Sequence, residues 1–427
     1  MNSRRAFLKL TGGAAALGAI NACTPSSNDT PSAEVQMFDF DQVINREGSH
    51  SVKWDGRAAY FGTKDVLPMW VADMDFAAPP AVQSALAARV AHPVYGYTLT
   101  PETLFEAVMQ WLSTRHDWAV EREWVATSPG VVPVLYAAVR AFTQEGEGVI
   151  VQSPVYTPFF NAVTDNHRRL ILNPLRLEEG ADGLRYSMDF EHLEQCAADG
   201  GKLLLLCSPH NPVGRVWRED ELKRLLAIAE KYDMMIVSDE IHADLIYPGG
   251  ARHIPIARLE DIPERVMTAV APSKSFNIPG LGLAFMVVAN PELRNALRLQ
   301  FTQLHIETNN IFSLAAAEAA YQHGADWLDA LMAYLKQTRD FVLAYCSQHL
   351  PGIRPVFPEG TYLMWLDCRA LGLDDAALQR LFVRAGVGMS PGIIYGQAGA
   401  GFMRLNLGAP RSLVEDALGR MRKALAA

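Results

Sequence analysis

The sequence predicts an α/β protein: a large domain with a mostly parallel sheet, and a smaller α+β domain at the C-terminus. Three observations lead there. Between about residues 120 and 290, short apolar runs alternate with amphipathic stretches, the pattern of a sheet wound with helices. The runs are aliphatic throughout rather than alternating, as strands buried on both faces must be. After about residue 325 such runs become sparse and long helical patterns take over.

The elements follow in order. The strand runs are 149-VIVQSP-154, 203-LLLLCSP-209, 234-MMIVSDE-240, 266-VMTAVA-271 and 285-FMVVAN-290. Between two of them, 219-EDELKRLLAIAEKYD-233 places Leu222, Leu225, Leu226 and Ile228 at three- and four-residue spacings, the stripe of an amphipathic helix. Residues 325–349 read as a long helix, 361-TYLMWLDC-368 and 402-FMRLNLG-408 as strands, 374–386 as a helix, and a last helix starts near Ser412. The expected organisation is an N-terminal segment 37–80 packing on the small domain, a large domain 81–324 and a small domain 325–427.

The first 36 residues read differently. Arg4 and Arg5 in 3-SRRAFLK-9 precede a weakly apolar Gly/Ala-rich stretch ending at Cys23, which resembles a cleavable twin-arginine signal over 1–23. The segment 20-INAC-23 resembles a lipoprotein cleavage box with an unusual Asn21, so a lipid anchor at Cys23 is one expectation. Residues 24–36 are polar and Pro/Ser-rich, a disordered tether. A periplasmic or otherwise exported protein follows from this reading, with the twin-arginine export machinery as a partner.

The formal net charge is −9, and no basic block lies outside the extreme N-terminus, which argues against nucleic acid as a partner. No stretch reaches 18 uninterrupted apolar residues, so no spanning helix is expected. Five scattered cysteines make neither a disulfide framework nor a metal site.

In open parallel sheets, ligands bind beyond the carboxyl ends of the strands. The residues there are 208-SPHNPVG-214, 239-DEIHAD-244 and 273-SKS-275. One rim thus carries the amide of Asn211, the carboxylate of Asp239 and the amine of Lys274. Upstream, 127-TSPGVVPVLYAAVRAF-142 is a glycine turn entering a helix, so the amides of Gly130, Val131 and Val132 form an anion site. Tyr156 offers an aromatic face. Each residue has a plainer reading alone: Lys274 a surface cation, Asp239 a helix cap, Asn211 a turn former, Tyr156 core, Arg404 a surface ion pair. Together they suit pyridoxal 5'-phosphate: a lysine for a Schiff base, a carboxylate for the ring nitrogen, an amide for the phenolate oxygen, an aromatic plate and a phosphate cradle.

The ordered set NPxG, DE and SK resembles the fold-type I pyridoxal-phosphate aminotransferase superfamily, class I/II, from about residue 37 to the end. The stretches 67-LPMWVADMDF-76, 94-VYGY-97, 238-SDEIHAD-244 and SKSFNIPGL resemble its carbon–sulfur lyase branch, the cystathionine and cystine β-lyases. The resemblance implies that Lys274 carries the cofactor and shuttles the proton. It implies Asp239 on the ring nitrogen, Asn211 on the phenolate oxygen and Tyr156 stacked on the ring. Gly130, Val131 and Ser273 hold the phosphate, and Arg404 clamps the substrate carboxylate. Tyr97 reaches the neighbouring subunit's phosphate, which implies a homodimer. Two positions depart from the broader superfamily. Gly282 stands where many members carry a phosphate-gripping arginine, and His242 where many carry a tyrosine on the phenolate oxygen. Both departures agree with the lyase branch.

The expected activity is elimination from a cysteine S-conjugate, such as cystathionine or cystine, to pyruvate, ammonia and a thiol. Two rivals stand beside it. An aminotransferase would use the same residues and return the proton to the cofactor. A regulatory or binding protein would keep the fold as a docking surface, and the presence of Lys274, Asp239 and Asn211 together argues against it.

Overall fold

A computed structural model describes residues 38–259, 264–306 and 309–426. The signal and tether readings, with Arg4, Arg5 and Cys23, lie outside the described residues.

The strands in chain order are β1 (Leu67–Pro68), β2 (Val125–Ser128), β3 (Gly148–Val151), β4 (Arg169–Leu172), β5 (Arg176–Gly180), β6 (Gly183–Ser187), β7 (Gly201–Cys207), β8 (Met235–Asp239), β9 (Val266–Val270), β10 (Ala284–Val287), β11 (Arg354–Pro355), β12 (Leu363–Asp367), β13 (Val387–Gly388), β14 (Ser390–Pro391) and β15 (Phe402–Asn406). Seven of them form the large sheet in the order β2-β10-β9-β8-β7-β3-β4. All the pairings of β3, β4, β7, β8 and β9 are parallel, apart from β9 with β10.

The sheet is mostly parallel, as expected, and the run 285–290 supplies the exception. β10 lies antiparallel to both β2 and β9. A strand buried on both faces is uniformly apolar in either direction, so composition carries no sign for its polarity.

Helices cover both faces of this sheet. Along β7, Leu203, Leu205 and Cys207 join one hydrophobic cluster with Val134 and Leu135 of the helix Val131–Phe142. Leu204 and Leu206 join the opposite cluster with Leu222 and Leu225 of the helix Glu219–Lys231. That division explains why LLLL reads as an unbroken run.

β11, β12, β15 and β14 form an antiparallel sheet in that order. The helix Ala325–His349 spans two cores. Trp327, Leu328 and Leu331 pack with the large-sheet cluster, while Val342 and Cys346 pack with Met364 of β12 and Leu405 of β15. From the N-terminal side, β1 pairs parallel with β13, and the amide of Met69 continues the ladder to the Gly388 carbonyl at 2.8 Å. This pairing leads residues 70–76 across the ends of the large-sheet strands. Cys196, Cys207, Cys346 and Cys368 are buried free thiols.

Candidate active site

β7, β8 and β9 run parallel and adjacent, so their carboxyl ends open on the same rim. Asp239 ends β8. Lys274 sits in a four-residue helical turn, Pro272–Ser275, directly after β9. Asn211 lies in the turn after β7, where Gly214 has φ of +71° and an added Cβ would stand 2.7 Å from Pro358. Only glycine fits that turn. The helix Val131–Phe142 begins at the same rim, and no side chain caps its first amides. A cavity of about 450 Å³ collects Gly130, Val131, Tyr156, Asn211, Asp239, His242, Ser273, Lys274 and Arg404.

The segment Trp70–Met74 crosses this rim, and each of its carbonyls accepts a bond from a distant side chain. Arg404 Nη2 donates to the Trp70 carbonyl at 2.6 Å. Asn406 Nδ2 donates to those of Val71 and Asp73 at 2.5 and 2.7 Å. The Ala72 carbonyl accepts from Lys274 Nζ at 2.6 Å and from the Tyr362 hydroxyl at 2.8 Å. Asn277 Nδ2 donates to Met74 at 2.9 Å. Asp75 anchors the strap's far end, accepting from the buried Lys53, from Arg46 and from the Trp54 indole.

Electrostatics in the cavity are unusual. Desolvation lowers the Lys274 amine to about 8, Arg404 acts in the same direction, and Asp73 and Asp239 oppose it. Burial pushes Asp239 up to about 7, against the Ile241 amide and the charge of Lys274. Burial, then the charges of Lys274 and Arg404, take His242 down to about 3, so its ring is neutral. No carboxylate pairs with Arg404 among the described residues. Its Nη1 donates to Asn211 Oδ1 at 3.0 Å, its Cζ lies 5.0 Å from the centre of the Tyr395 ring, and its buried Nε has no partner. Since Asn211 Oδ1 is taken, the amide's NH₂ end is left to donate to a ligand. The site therefore offers an anion-binding helix start, an amine of lowered pKa, an isolated buried carboxylate and a guanidinium with spare donors.

Nine of the ten expected site residues line this cavity. Tyr97 does not: its side chain is fully exposed, beside Tyr95, Asn309 and Phe312 on a separate surface hollow. Gly282 does line the cavity, with φ of +47° and the Pro129 carbonyl 3.1 Å from where a Cβ would stand. The sequence reading had not placed Tyr60, Ser390, Tyr395 or Tyr362 at the site. Ser390 and Tyr395 sit in the stretch 390-SPGIIYG-396, whose turn residues are a legible signal; Tyr362 sits in the strand run 361–368, where nothing local marks it as a site residue.

The family model for aminotransferase class I and II matches residues 64–421. The chain belongs to the class I and II aminotransferase family. Within that family it is 41% identical over 391 residues to cystathionine beta-lyase PatB of Bacillus subtilis (strain 168), covering 91% of this chain and 100% of the relative. Protein MalY of Escherichia coli (strain K12) is 38% identical over 395 residues, covering 92% and 100%. The crystal structure of cystalysin from Treponema denticola, which contains a pyridoxal 5'-phosphate cofactor, matches with a TM-score of 0.87 at 36% identity, covering 91% and 99%. The large mixed sheet and flanking helices described above are the fold of this class I and II family member.

Proposed function

We propose that this protein is a pyridoxal-phosphate-dependent carbon–sulfur β-lyase acting on cysteine S-conjugates, with cystathionine and cystine as candidate substrates. The observation that carries the reading is the Lys274 amine, lowered to about 8, sharing one cavity with an uncapped helix start and with the buried Asp239 carboxylate, which accepts from the Ile241 amide but pairs with no cationic side chain among the described residues. The lyase names of PatB and of other relatives support it.

The residues fit the cofactor. Lys274 offers the amine for its aldehyde. Asp239 offers the counter-charge for a protonated ring nitrogen, and gaining that partner relieves its own burial penalty. The amides of Gly130 and Val131, with Ser273, suit the phosphate, Asn211 suits the phenolate oxygen, and Tyr156 suits a ring face. When bound, the cofactor supplies an electron sink for the pair left on the substrate α-carbon.

The chain's own residues do the rest. Arg404, held by Trp70 and Asn211, keeps donors for the substrate carboxylate. Lys274 Nζ takes the α-proton, a role suited to an amine whose pKa burial and the neighbouring Arg404 lower. The Ala72 carbonyl accepts the amine's hydrogen bond and holds Nζ at one place. The β-carbon–sulfur bond then breaks with its electron pair on sulfur, and hydrolysis of the remaining enamine gives pyruvate and ammonia.

The test is incubation of the purified holoenzyme with cystathionine or cystine without any 2-oxo acid. Pyruvate in many turnovers is expected. Arrest after one turnover, relieved by an oxo acid, would move the assignment to an aminotransferase. Lys274→Ala is expected to remain folded, lose the visible absorbance of the lysine-bound cofactor and lose turnover.

Three further parts of the reading concern assembly and location. The protein forms a homodimer in which Tyr97 reaches the partner's phosphate; the exposed Val94, Tyr95, Tyr97 and Leu99 support such a face. It is exported by the twin-arginine route. Cys23 carries a lipid anchor. Sedimentation at several concentrations tests the first, and a sedimenting monomer would refute it.

A further inference from the structure

Directly behind the cavity lies a buried carboxylate that the chemistry above leaves unused. Asp244 follows Asp239 and His242 on the turn after β8, and its side chain is 7% exposed. It accepts three hydrogen bonds: from Trp111 Nε1 at 2.9 Å, from His116 Nε2 at 2.8 Å and from Ser275 Oγ at 2.7 Å. Ser275 is the residue after Lys274, in the same helical turn. Trp111 and His116 come from a helix more than 120 residues upstream.

We propose that Asp244 is a positioning residue, which through Ser275 fixes the Lys274 turn against the Asp239 loop.

Three features support the assignment. Lys274 and Asp239 must meet one small ring from two separate loops, so something must hold those loops in register. A carboxylate on one loop that accepts from the residue beside Lys274 on the other does this directly. The bond is part-buried and ends on a carboxylate whose side chain is 7% exposed, where a displaced partner would leave a poorly satisfied charge, so alternative placements of the turn are costly. Burial by itself would raise the Asp244 carboxyl, and the bonds from His116, Ser275 and Trp111 outweigh it and hold it ionised. Finally, Trp111 grips the assembly twice. Its indole N–H holds Asp244, and its ring packs at 5.4 Å on Phe276, the next residue after Ser275.

The inference rests on the proposed cofactor reading, and the test separates the two. Ser275→Ala cuts the link to the lysine turn and leaves Asp244 with Trp111 and His116. Its kcat is expected to fall about tenfold with KM within about twofold, because small misplacement of a reacting group costs rate rather than binding. The dissociation constant for pyridoxal phosphate, measured by titrating cofactor-free protein, is expected to rise several-fold. Asp244→Asn should reproduce both effects. Trp111→Phe keeps the ring against Phe276 but removes one of the three bonds to Asp244, so it is expected to lower kcat and cofactor affinity by less than Ser275→Ala does. Ser275→Ala with parental kcat and cofactor affinity would overturn the proposal. So would a loss of kcat in all three variants that merely tracks melting temperature. A parent protein that takes up no pyridoxal phosphate would overturn the cofactor reading as well; a normal parent with an unaffected Ser275→Ala overturns only the positioning role.

Discussion

Arg404 Nη1 donates to Asn211 Oδ1 at 3.0 Å, joining the small-domain strand β15 to the turn after β7 across 193 residues. The same guanidinium holds the Trp70 carbonyl through Nη2. One cation thereby ties the N-terminal strap, the large domain and the small domain at the cavity wall. Lysine keeps the charge but not the fork. Arg404→Lys is expected to cut kcat/KM roughly 10- to 100-fold, mostly through KM, since each bond to a charged group is worth about 1.5–3 kcal/mol. Steady-state kinetics with any turned-over S-conjugate check this, and an unchanged KM would contradict it.

Asp239 makes the cofactor-free protein pH-sensitive in a defined direction. Its folded pKa is raised from 3.8 to about 7, mainly by burial. Between those values the folded state holds a proton that the unfolded chain has lost, so stability falls as pH rises from about 4 to about 7. Asp239→Asn removes this cost. The cofactor-free variant should melt higher than the parent above pH 7, and the difference should vanish toward pH 4. With cofactor bound the order should reverse, because the variant has lost the partner of the ring nitrogen. Melting curves across pH, with and without pyridoxal phosphate, read both effects.

Gly282 is held by its backbone as well as by its neighbours. Its φ of +47° is left-handed, and a Cβ would lie 3.1 Å from the Pro129 carbonyl. Gly282→Ala is expected to cost about 1–2 kcal/mol, seen as a lower melting temperature. Because Pro129 leads into the helix start at Gly130, cofactor affinity should fall too. A neutral Gly282→Ala would show that this loop relaxes freely.

Export is testable apart from catalysis. Replacing Arg4 and Arg5 by lysine should leave active enzyme in the cytoplasm, and continued delivery to the periplasm would refute the twin-arginine reading. Cys23→Ala should move an anchored protein into the soluble fraction.

Much of the site was legible because its chemistry is local to strand ends. In a parallel sheet the residues just after each run must gather on one rim, so Asn211, Asp239 and Lys274 could be grouped from order alone. The helix start at Gly130 was legible for a similar reason: a glycine turn before an apolar-periodic stretch exposes amides wherever it occurs. Gly282 was visible as a departure, but its left-handed backbone and the Pro129 carbonyl that explain it were not.

What the sequence determined by itself was the kind of fold and the chemical inventory of the rim, since both follow from periodicity and from adjacency along the chain. The tertiary structure alone decided the direction of β10, the bond between Arg404 and Asn211, the carbonyl strap over Lys274 and the Asp244 link behind it. Each joins segments distant in sequence. A buried apolar run reads alike in both directions, and a polar side chain does not encode which remote carbonyl or carboxylate will meet it. Those partners are set only when the β1–β13 pairing, the long helix Ala325–His349 and the two faces of the sheet pack together.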